Sequence, residues 1–209
     1  MALTLYDFPT SGNARKVRLL LAELGLEFEH VLVPRARPRP DWYLEVNSFG
    51  GVPAIKEGDL VLAESQAILR YLATREGRDD LYPSDPAARA PVDWALDAWT
   101  TTVFPRVFPL YRTVVAETRD EAGKPHPERA DPEKSELGLP GAREGFELFE
   151  RFVADDGTVV GGGFTLADCA CGPVLLTVEG WPLDLDSEFP RLARIRTAVA
   201  ARPSAAALP

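Results

Sequence analysis

Cysteine and histidine are nearly absent from this chain of 209 residues, which holds only Cys169, Cys171 and two histidines. So few thiol and imidazole groups offer no zinc-type ligand set, and we expect no metal. The two cysteines are one residue apart within a helical pattern, where they face different directions. We therefore expect them to be buried free thiols that fill small apolar spaces.

The chain also lacks long apolar runs and an excess of positive charge. No run approaches the roughly 20 apolar residues of a membrane span, and the residues after Met1 lack the basic start of a signal peptide. We therefore expect a cytoplasmic protein with no membrane contact. The chain has 23 Lys and Arg residues and 32 Asp and Glu residues, which gives a net charge of −9. This balance argues against nucleic acid as a partner, since nucleic acids attract clustered cations.

The first 77 residues alternate between strand and helix patterns. Apolar residues from Val17 to Leu24 follow helical spacing, Gly25 suits the end of that helix, and a second helix begins near Ser65. Glu57-Gly58-Asp59 suits the turn of a hairpin. The predicted strands are residues 3–7, 28–33, 54–56 and 60–62. This βαβ and ββα order predicts a small mixed sheet with helices against it, the layout of a thioredoxin-like domain spanning residues 1–77.

Two features of the stretch 47–72 point to ligand binding. The Val52-Pro53 bond precedes a strand, where surrounding residues can hold a cis peptide, and the Val52 backbone could then pair with an extended peptide. Ser65 offers a hydroxyl and free N–H groups at a helix N-terminus, which suits a carboxylate. An ordinary hairpin and an ordinary helix cap explain the same residues.

The second part of the chain, residues 88–209, is predicted to be an all-helical domain. Charge and proline interrupt the apolar periodicity over residues 78–85, which we interpret as a linker, and Ser84 or Asp85 is expected to cap a helix that starts at Pro86. Pro91, Pro105 and Pro109 should kink or interrupt this helix.

Residues 117–141 are polar and rich in proline, so we expect an exposed or partly disordered loop before helix resumes at Ala142. Farther on, Thr165 and Asp168 have the spacing of a capping box, in which each side chain bonds the other's backbone N–H. We expect both residues to stabilise the fold and to take no part in catalysis.

The segments VPAI and GDLVLAESQAILRYL resemble the glutathione-binding half of the glutathione transferase family. The resemblance implies that the Val52 backbone, beside cis Pro53, binds the cysteinyl part of glutathione, while Glu64 and Ser65 hold the γ-glutamyl end. Members of the family commonly have Pro after Asn47 and Gln or Lys before the Val. This chain has Ser48 and Gly51 there, so one polar contact to the tripeptide is in question.

The segment SGNARKVRLLLAELGLEFE is similar to the first loop and helix of serine-type members, the theta-like and zeta-like ones. That similarity implies that Ser11 stabilises the glutathione thiolate. Tyr6 is the alternative donor, because other classes of the family use a tyrosine on this strand, and a third alternative is that neither acts. Members that use a catalytic cysteine carry it in this loop, and the first 168 residues here have none, so we do not expect mixed-disulfide chemistry.

The resemblance therefore predicts a glutathione transferase with glutathione as co-substrate, a small electrophile as second substrate and a homodimeric assembly. The electrophile is expected between the domains, against aromatic side chains of the helical half. These are Trp94, Trp99, Phe104, Phe108 and Tyr111. The basic run PRARPRP at residues 34–40 is either a solvated loop or a source of one arginine for a glutathione carboxylate. Two alternatives are a binding or regulatory protein without turnover and a glutathione-dependent isomerase of a small unsaturated acid.

Overall fold

The computed structural model describes residues 2–120 and 122–208. Its strands are β1 (Leu3–Asp7), β2 (Glu29–Leu32), β3 (Ala54–Glu57) and β4 (Leu60–Ala63). Its α-helices are α1 (Gly12–Glu23), α2 (Asp41–Val46), α3 (Ser65–Arg75), α4 (Pro86–Ala98), α5 (Phe104–Tyr111), α6 (Pro132–Phe152), α7 (Leu166–Leu175), α8 (Leu185–Glu188) and α9 (Pro190–Ala200). The sheet and its helices are followed by a helical domain, so the predicted two-domain architecture is confirmed.

The four strands form one mixed sheet in the order β2-β1-β3-β4. β1 is parallel to β2 and antiparallel to β3, and β4 is antiparallel to β3. Leu5 and Ile55 on one face belong to the main core together with residues of α1 and α3. On the other face, Ala54 packs with Tyr43 of α2 in a small second cluster. Helices therefore pack against the sheet, as predicted, and the structure shows that they cover both of its faces.

The strand directions bring four chain segments to one edge of the sheet. Both β1 and β2 end at this edge because they are parallel. The antiparallel β3 begins there, and β4 ends there. The loops after β1 and β2, the segment before β3 and the start of α3 therefore lie together. This edge contains the proposed binding residues.

The helical domain begins with α4, whose N-cap is Asp85. Its carboxylate accepts a hydrogen bond of 2.8 Å from the Ala88 N–H, and Pro86 is the first helical residue. The helix continues through Pro91. A five-residue π-helical turn at Trp99–Val103 separates it from α5, and a second one at Arg112–Ala116 follows the end of α5. The predicted interruption near Pro105 is therefore present, because the first π-helical turn ends just before it. Pro91 and Pro109 are instead accommodated within α4 and α5.

The prediction of an exposed loop over residues 117–141 is wrong for its second half. A short 3-10 turn at Pro127–Arg129 is followed by α6, which starts at Pro132 and not at Ala142. The apolar periodicity is weak here because α6 contacts α5 through glycine. A Cβ on Gly138 would lie 2.8 Å from the backbone nitrogen of Leu110, so only glycine allows this close approach.

Helix α7 is buried along its whole length, and its N-terminal capping box is confirmed. The Asp168 carboxylate accepts the Thr165 N–H at 2.8 Å, and the Thr165 hydroxyl accepts the Ala167 N–H at 3.3 Å. Cys169 and Cys171 are buried free thiols, as expected. Burial raises the pKa of Asp168 to about 6, although the N–H donors oppose that rise. At neutral pH the carboxylate is therefore ionised and accepts these bonds.

Within residues 2–120 and 122–208, no helix combines the length and the apolar character that crossing a bilayer demands.

Candidate functional site

The start of α3 offers unpaired hydrogen-bond donors at the shared edge of the sheet. Its N-cap, Glu64, makes no side-chain capping bond, and the first backbone bond is from Ile68 N–H to the Glu64 carbonyl oxygen. The Ser65 side chain is buried at 6% exposure, and its hydroxyl makes no hydrogen bond with any described residue. The N–H groups of the first helical turn and this hydroxyl are donors suited to a carboxylate.

Glu64 holds an unusual backbone conformation just before this helix. Its φ is +69°, the only positive φ of a non-glycine residue in the described part of the chain. Such a conformation costs on the order of 1–3 kcal/mol and persists only where surrounding structure fixes it. The strain occurs where Ser65 is presented, which agrees with a functional role for the turn.

Val52 supplies a free backbone edge next to this helix start. The Val52-Pro53 peptide bond is cis, as predicted. The preceding carbonyl of Gly51 accepts hydrogen bonds from the Tyr43 hydroxyl and, at 2.9 Å, from the Asn47 side-chain amide. The N–H and C=O of Val52 itself bond to none of the described residues. They are therefore available to an extended peptide.

Ser11 is the N-cap of α1. Its hydroxyl oxygen accepts the Ala14 N–H at 3.2 Å, and its own hydrogen makes no bond to a described residue. A hydroxyl that accepts one bond can still donate another. Ser11 is thus held with its donor free at the edge of the sheet.

Residues of the helical domain contact the loop that contains Ser11 and hold it in place. The Tyr111 hydroxyl donates a hydrogen bond of 3.0 Å to the Thr10 carbonyl oxygen. A Cβ on Gly12 would lie 2.9 Å from Phe104 Cζ, so the glycine lets this ring lie directly under the start of α1. Burial raises the pKa of Tyr111 to about 12, which keeps its hydroxyl protonated as a donor.

Tyr6 lies on the sheet face that α2 covers. Its ring is 6.3 Å from that of Tyr43, and it packs beside the small cluster that contains Val33 and Ala54. Ser11, in contrast, lies at the end of the loop that joins β1 to α1.

The five aromatic residues predicted to contact the electrophile do not share one open surface. Trp99, Phe104 and Tyr111 are buried, whereas Phe108 is 44% exposed and Trp94 is 66% exposed. The Phe108 ring lies 5.6 Å from that of Phe104, which is next to the Ser11 loop. Trp94 instead contacts Phe152 of α6 edge-on at 4.7 Å.

Lys16 is a buried lysine near the site, and the sequence analysis did not identify it. Its side chain is fully buried, and its ammonium group makes no hydrogen bond with the described residues and lies 5.4 Å from the Phe104 ring centroid. Burial lowers its pKa to about 7, while Cys171 and Glu64 oppose that shift. The sequence does contain a signal for this burial. Lys16 is four positions from both Gly12 and Leu20, so the three residues lie on the same buried face of α1.

Asp7 is a second missed residue, and it joins three elements of the first domain. This fully buried carboxylate accepts two bonds of 2.7 Å from the Arg18 guanidinium and lies 2.7 Å from His30 Nε2. The bonds tie β1 to α1 and β2 immediately before the Ser11 loop. No group of three or more His, Cys, Asp or Glu residues arranged to hold a metal occurs in residues 2–120 and 122–208.

Two family models match the chain: the glutathione S-transferase N-terminal domain at residues 5–80 and the glutathione S-transferase C-terminal domain at residues 113–203. Glutathione S-transferase 3 of Zea mays is 34% identical over 97% of this chain and 90% of its own length. The apo structure of a glutathione S-transferase III is 30% identical, with a TM-score of 0.78 over 100% of this chain and 98% of its own.

A theta class glutathione S-transferase from Xanthomonas axonopodis pv. citri, solved with glutathione bound, is 28% identical. Its TM-score is 0.81, over 97% of this chain and 94% of its own. Both the sequence similarity and the structural similarity extend across nearly the whole chain. The chain therefore belongs to the glutathione S-transferase family.

Proposed function

We propose that this protein is a glutathione transferase of the serine type, which binds glutathione, stabilises its thiolate and joins the sulfur to a small electrophile. The observation that carries this proposal is the juxtaposition of unpaired donors at one sheet edge, where the Ser11 loop, the free Val52 backbone and the start of α3 meet. A tripeptide with a carboxylate at each end and a thiol between them fits these groups.

Each part of glutathione has a proposed partner. The γ-glutamyl carboxylate binds the Ser65 hydroxyl and the N–H groups at the start of α3, and Glu64 faces the glutamyl amino group. The cysteinyl backbone pairs with the N–H and C=O of Val52, which Pro53 follows. This pairing directs the cysteinyl sulfur toward Ser11.

The Ser11 hydroxyl then donates a hydrogen bond to the sulfur. A free thiol has a pKa of about 8.5, so only a few per cent is thiolate at neutral pH. A donor that binds the thiolate more strongly than the thiol lowers that pKa. Each unit of lowering corresponds to about 1.36 kcal/mol of preference for the thiolate. The thiol proton leaves to solvent, and the thiolate electron pair forms a C–S bond to the electrophilic carbon, from which a leaving group departs with its bonding pair.

For the electrophile site we propose the surface around Phe108 and Phe104. Phe108 is exposed and touches Phe104, which lies under the Ser11 loop. Trp99 and Tyr111 support these rings from within the core, where neither is accessible. Trp94 is exposed elsewhere, where it contacts Phe152. We therefore narrow the predicted set of five to Phe108 as the exposed contact residue, with Phe104, Trp99 and Tyr111 as its buried support.

We also propose a cytoplasmic homodimer whose domains divide between residues 77 and 88. The exposed rings of Phe49, at 84%, and Trp94, at 66%, are candidates for burial by a second copy. Two free thiols agree with a reducing compartment. Sedimentation equilibrium tests the assembly, and a monomer at micromolar concentration would contradict it.

Calorimetric titration with glutathione, followed by an assay of thioether formation with an activated aryl halide, tests the activity. We expect saturable binding and turnover that both depend on glutathione. Binding without turnover across a panel of electrophiles would favour a binding or regulatory protein. Absence of binding would contradict the proposed function altogether.

A further inference from the structure

Packing does not explain why residue 16 is a lysine. Its side chain is fully buried, and its nitrogen makes no hydrogen bond or ion pair with any residue in the described part of the chain. Burying an unpaired cation costs free energy, and an apolar side chain of similar length would fill the same space without that cost. A buried polar group without a partner calls for another explanation.

The Lys16 nitrogen lies next to the first turn of α1. It is 5.4 Å from the centroid of the Phe104 ring, and the Cζ atom of that ring would be 2.9 Å from a Cβ on Gly12. Long side chains on a helix point back toward its N-terminus, which agrees with this position. Gly12 is the first residue of α1, and Ser11 is its N-cap. The amine is therefore behind the turn that presents the proposed thiolate donor.

The elements packed against α1 bring few charges to Lys16. Glu64, at the start of α3, is near enough for its carboxylate to raise the Lys16 pKa. Cys171 of α7 also faces Lys16, but burial raises the pKa of that thiol well above its usual range, so the thiol is neutral near pH 8. The segment Pro203–Ala207 has no titratable side chain. Lys16 thus lies between the two turns that are proposed to hold glutathione.

The charge of Lys16 depends on what binds nearby. Burial is the larger effect and lowers its pKa to about 7, so near pH 8 the amine is mostly neutral in the free protein. A negative charge brought close to an amine favours its ammonium form, and the attraction is stronger inside a protein than in water. A glutathione thiolate held by Ser11 is such a charge. The effect is mutual, because the ammonium form also favours thiolate over thiol.

We propose that Lys16 takes up a proton when glutathione binds as its thiolate, so that an ammonium group behind the Ser11 turn compensates the negative charge of the sulfur. The inference rests on the proposed function and makes Lys16 a positioning residue, which acts without touching the ligand. The protons balance, since the thiol releases one to solvent and the amine accepts one from solvent. Ser11 supplies the hydrogen bond to the sulfur, and Lys16 supplies the opposite charge.

NMR of protein labelled with ¹³C-lysine tests the charge of Lys16 directly, through its Cε resonance at pH 8. The chain has three other lysines, all exposed, and Lys16→Met assigns the signal of residue 16. We expect a neutral amine in the free protein and an ammonium group after glutathione is added. S-methylglutathione lacks an ionisable thiol and keeps the rest of the ligand, so it should leave Lys16 neutral.

The ultraviolet absorbance of the bound thiolate measures the reciprocal effect. Lys16→Met should lower the ionisation constant of the bound glutathione thiol about tenfold, the scale of losing one nearby opposite charge. The Kd for S-methylglutathione, measured by calorimetry, should stay unchanged, whereas a purely structural role would weaken both ligands. Lys56→Met, at an exposed position on β3, is the matched control and should change neither quantity.

Several results would overturn the inference while wild-type binding left the proposed function intact. They are a Lys16 that stays neutral with glutathione bound, a Lys16 that is already charged in the free protein at pH 8, and an unchanged ionisation constant in Lys16→Met. Protonation by S-methylglutathione would assign the effect to groups other than the sulfur and would also overturn it. If the wild type bound neither ligand, the proposed function would fail and the inference with it.

Discussion

The Tyr111 hydroxyl of the helical domain donates a buried hydrogen bond of 3.0 Å to the carbonyl oxygen of Thr10, in the loop that precedes Ser11. These residues are 101 positions apart in the sequence. The bond makes the position of the proposed thiolate donor depend on how the two domains pack together.

Tyr111→Phe should therefore destabilise the protein and slow turnover. The change leaves the Thr10 carbonyl unsatisfied, at a cost of about 1–3 kcal/mol. Thermal unfolding and kcat measure the two effects. Tyr71→Phe is the control, because that hydroxyl bonds Glu57 on the first domain alone. Equal effects of both variants on kcat would contradict a specific role for Tyr111.

Ser11→Ala should move the pH–rate profile to higher pH by about one to two units, because the thiolate loses its donor. Glutathione affinity should change little, since most tripeptide contacts lie elsewhere. The variant also loses a helix cap, worth about 1 kcal/mol, so Asp85→Ala at the start of α4 is the matched control for stability alone. Tyr6→Phe tests the alternative donor, and a shift in that variant but not in Ser11→Ala would reject the serine assignment.

Ser65→Ala should raise the Kd for glutathione roughly tenfold or more, because a hydrogen bond to a carboxylate contributes about 1.5–3 kcal/mol. Isothermal calorimetry measures the change. Ser84→Ala removes a hydroxyl that bonds Asp79 on the surface and serves as the control. An unchanged Kd for the Ser65 variant would remove this residue from the site.

Thr165→Ala should lower the free energy of unfolding by about 1 kcal/mol, as lost caps do, and Asp168→Ala by more. The difference arises because the Asp168 carboxylate also accepts the Val159 N–H at 2.9 Å and so fixes the preceding loop. Chemical denaturation measures both. Asp131→Ala, at the exposed cap of α6, provides the comparison. If both variants unfolded at the same denaturant concentration as the wild type, a stabilising role for Thr165 and Asp168 would be rejected.

Lys16 should make stability depend on pH in a direction that is easily checked. Its pKa is about 7 in the folded protein and 10.5 for an ordinary lysine, so between these values the unfolded chain binds more protons. The free energy of unfolding therefore increases as the pH rises through this range. Lys16 alone contributes at most about 1.4 kcal/mol per pH unit to that increase.

Lys16→Met should accordingly be more stable than wild type at pH 7, and the gain should shrink as pH rises to 9. Urea unfolding at several pH values measures the difference, in which contributions from other groups cancel. Lys56→Met, at an exposed position on β3, should show no such trend. A gain that stays constant with pH would mean that Lys16 is charged in both states.

The sequence by itself was sufficient for the elements with strong local signals. These signals act within a few residues, so their patterns can be read directly. They are the hairpin turn at Glu57-Gly58-Asp59, the glycine after α1, and the capping box of Thr165 and Asp168. The N-cap of α4 was predicted as Ser84 or Asp85, and the structure shows that it is Asp85. The family was also evident from local motifs around Val52 and Ser65. The donors proposed at the sheet edge could be named from these motifs because each lies at the end of a strand or the start of a helix.

Tertiary structure decided what depends on close approach between distant segments. Helix α6 starts ten residues before the predicted Ala142 because glycine at 138 lets it contact α5, a surface that apolar periodicity does not reveal. Burial of Lys16 and Asp7 and the support of Thr10 by Tyr111 likewise arise from contacts between separate elements. Local sequence fixes backbone preference and capping, whereas burial and the pairing of charges depend on which neighbours the packed helices and strands bring together.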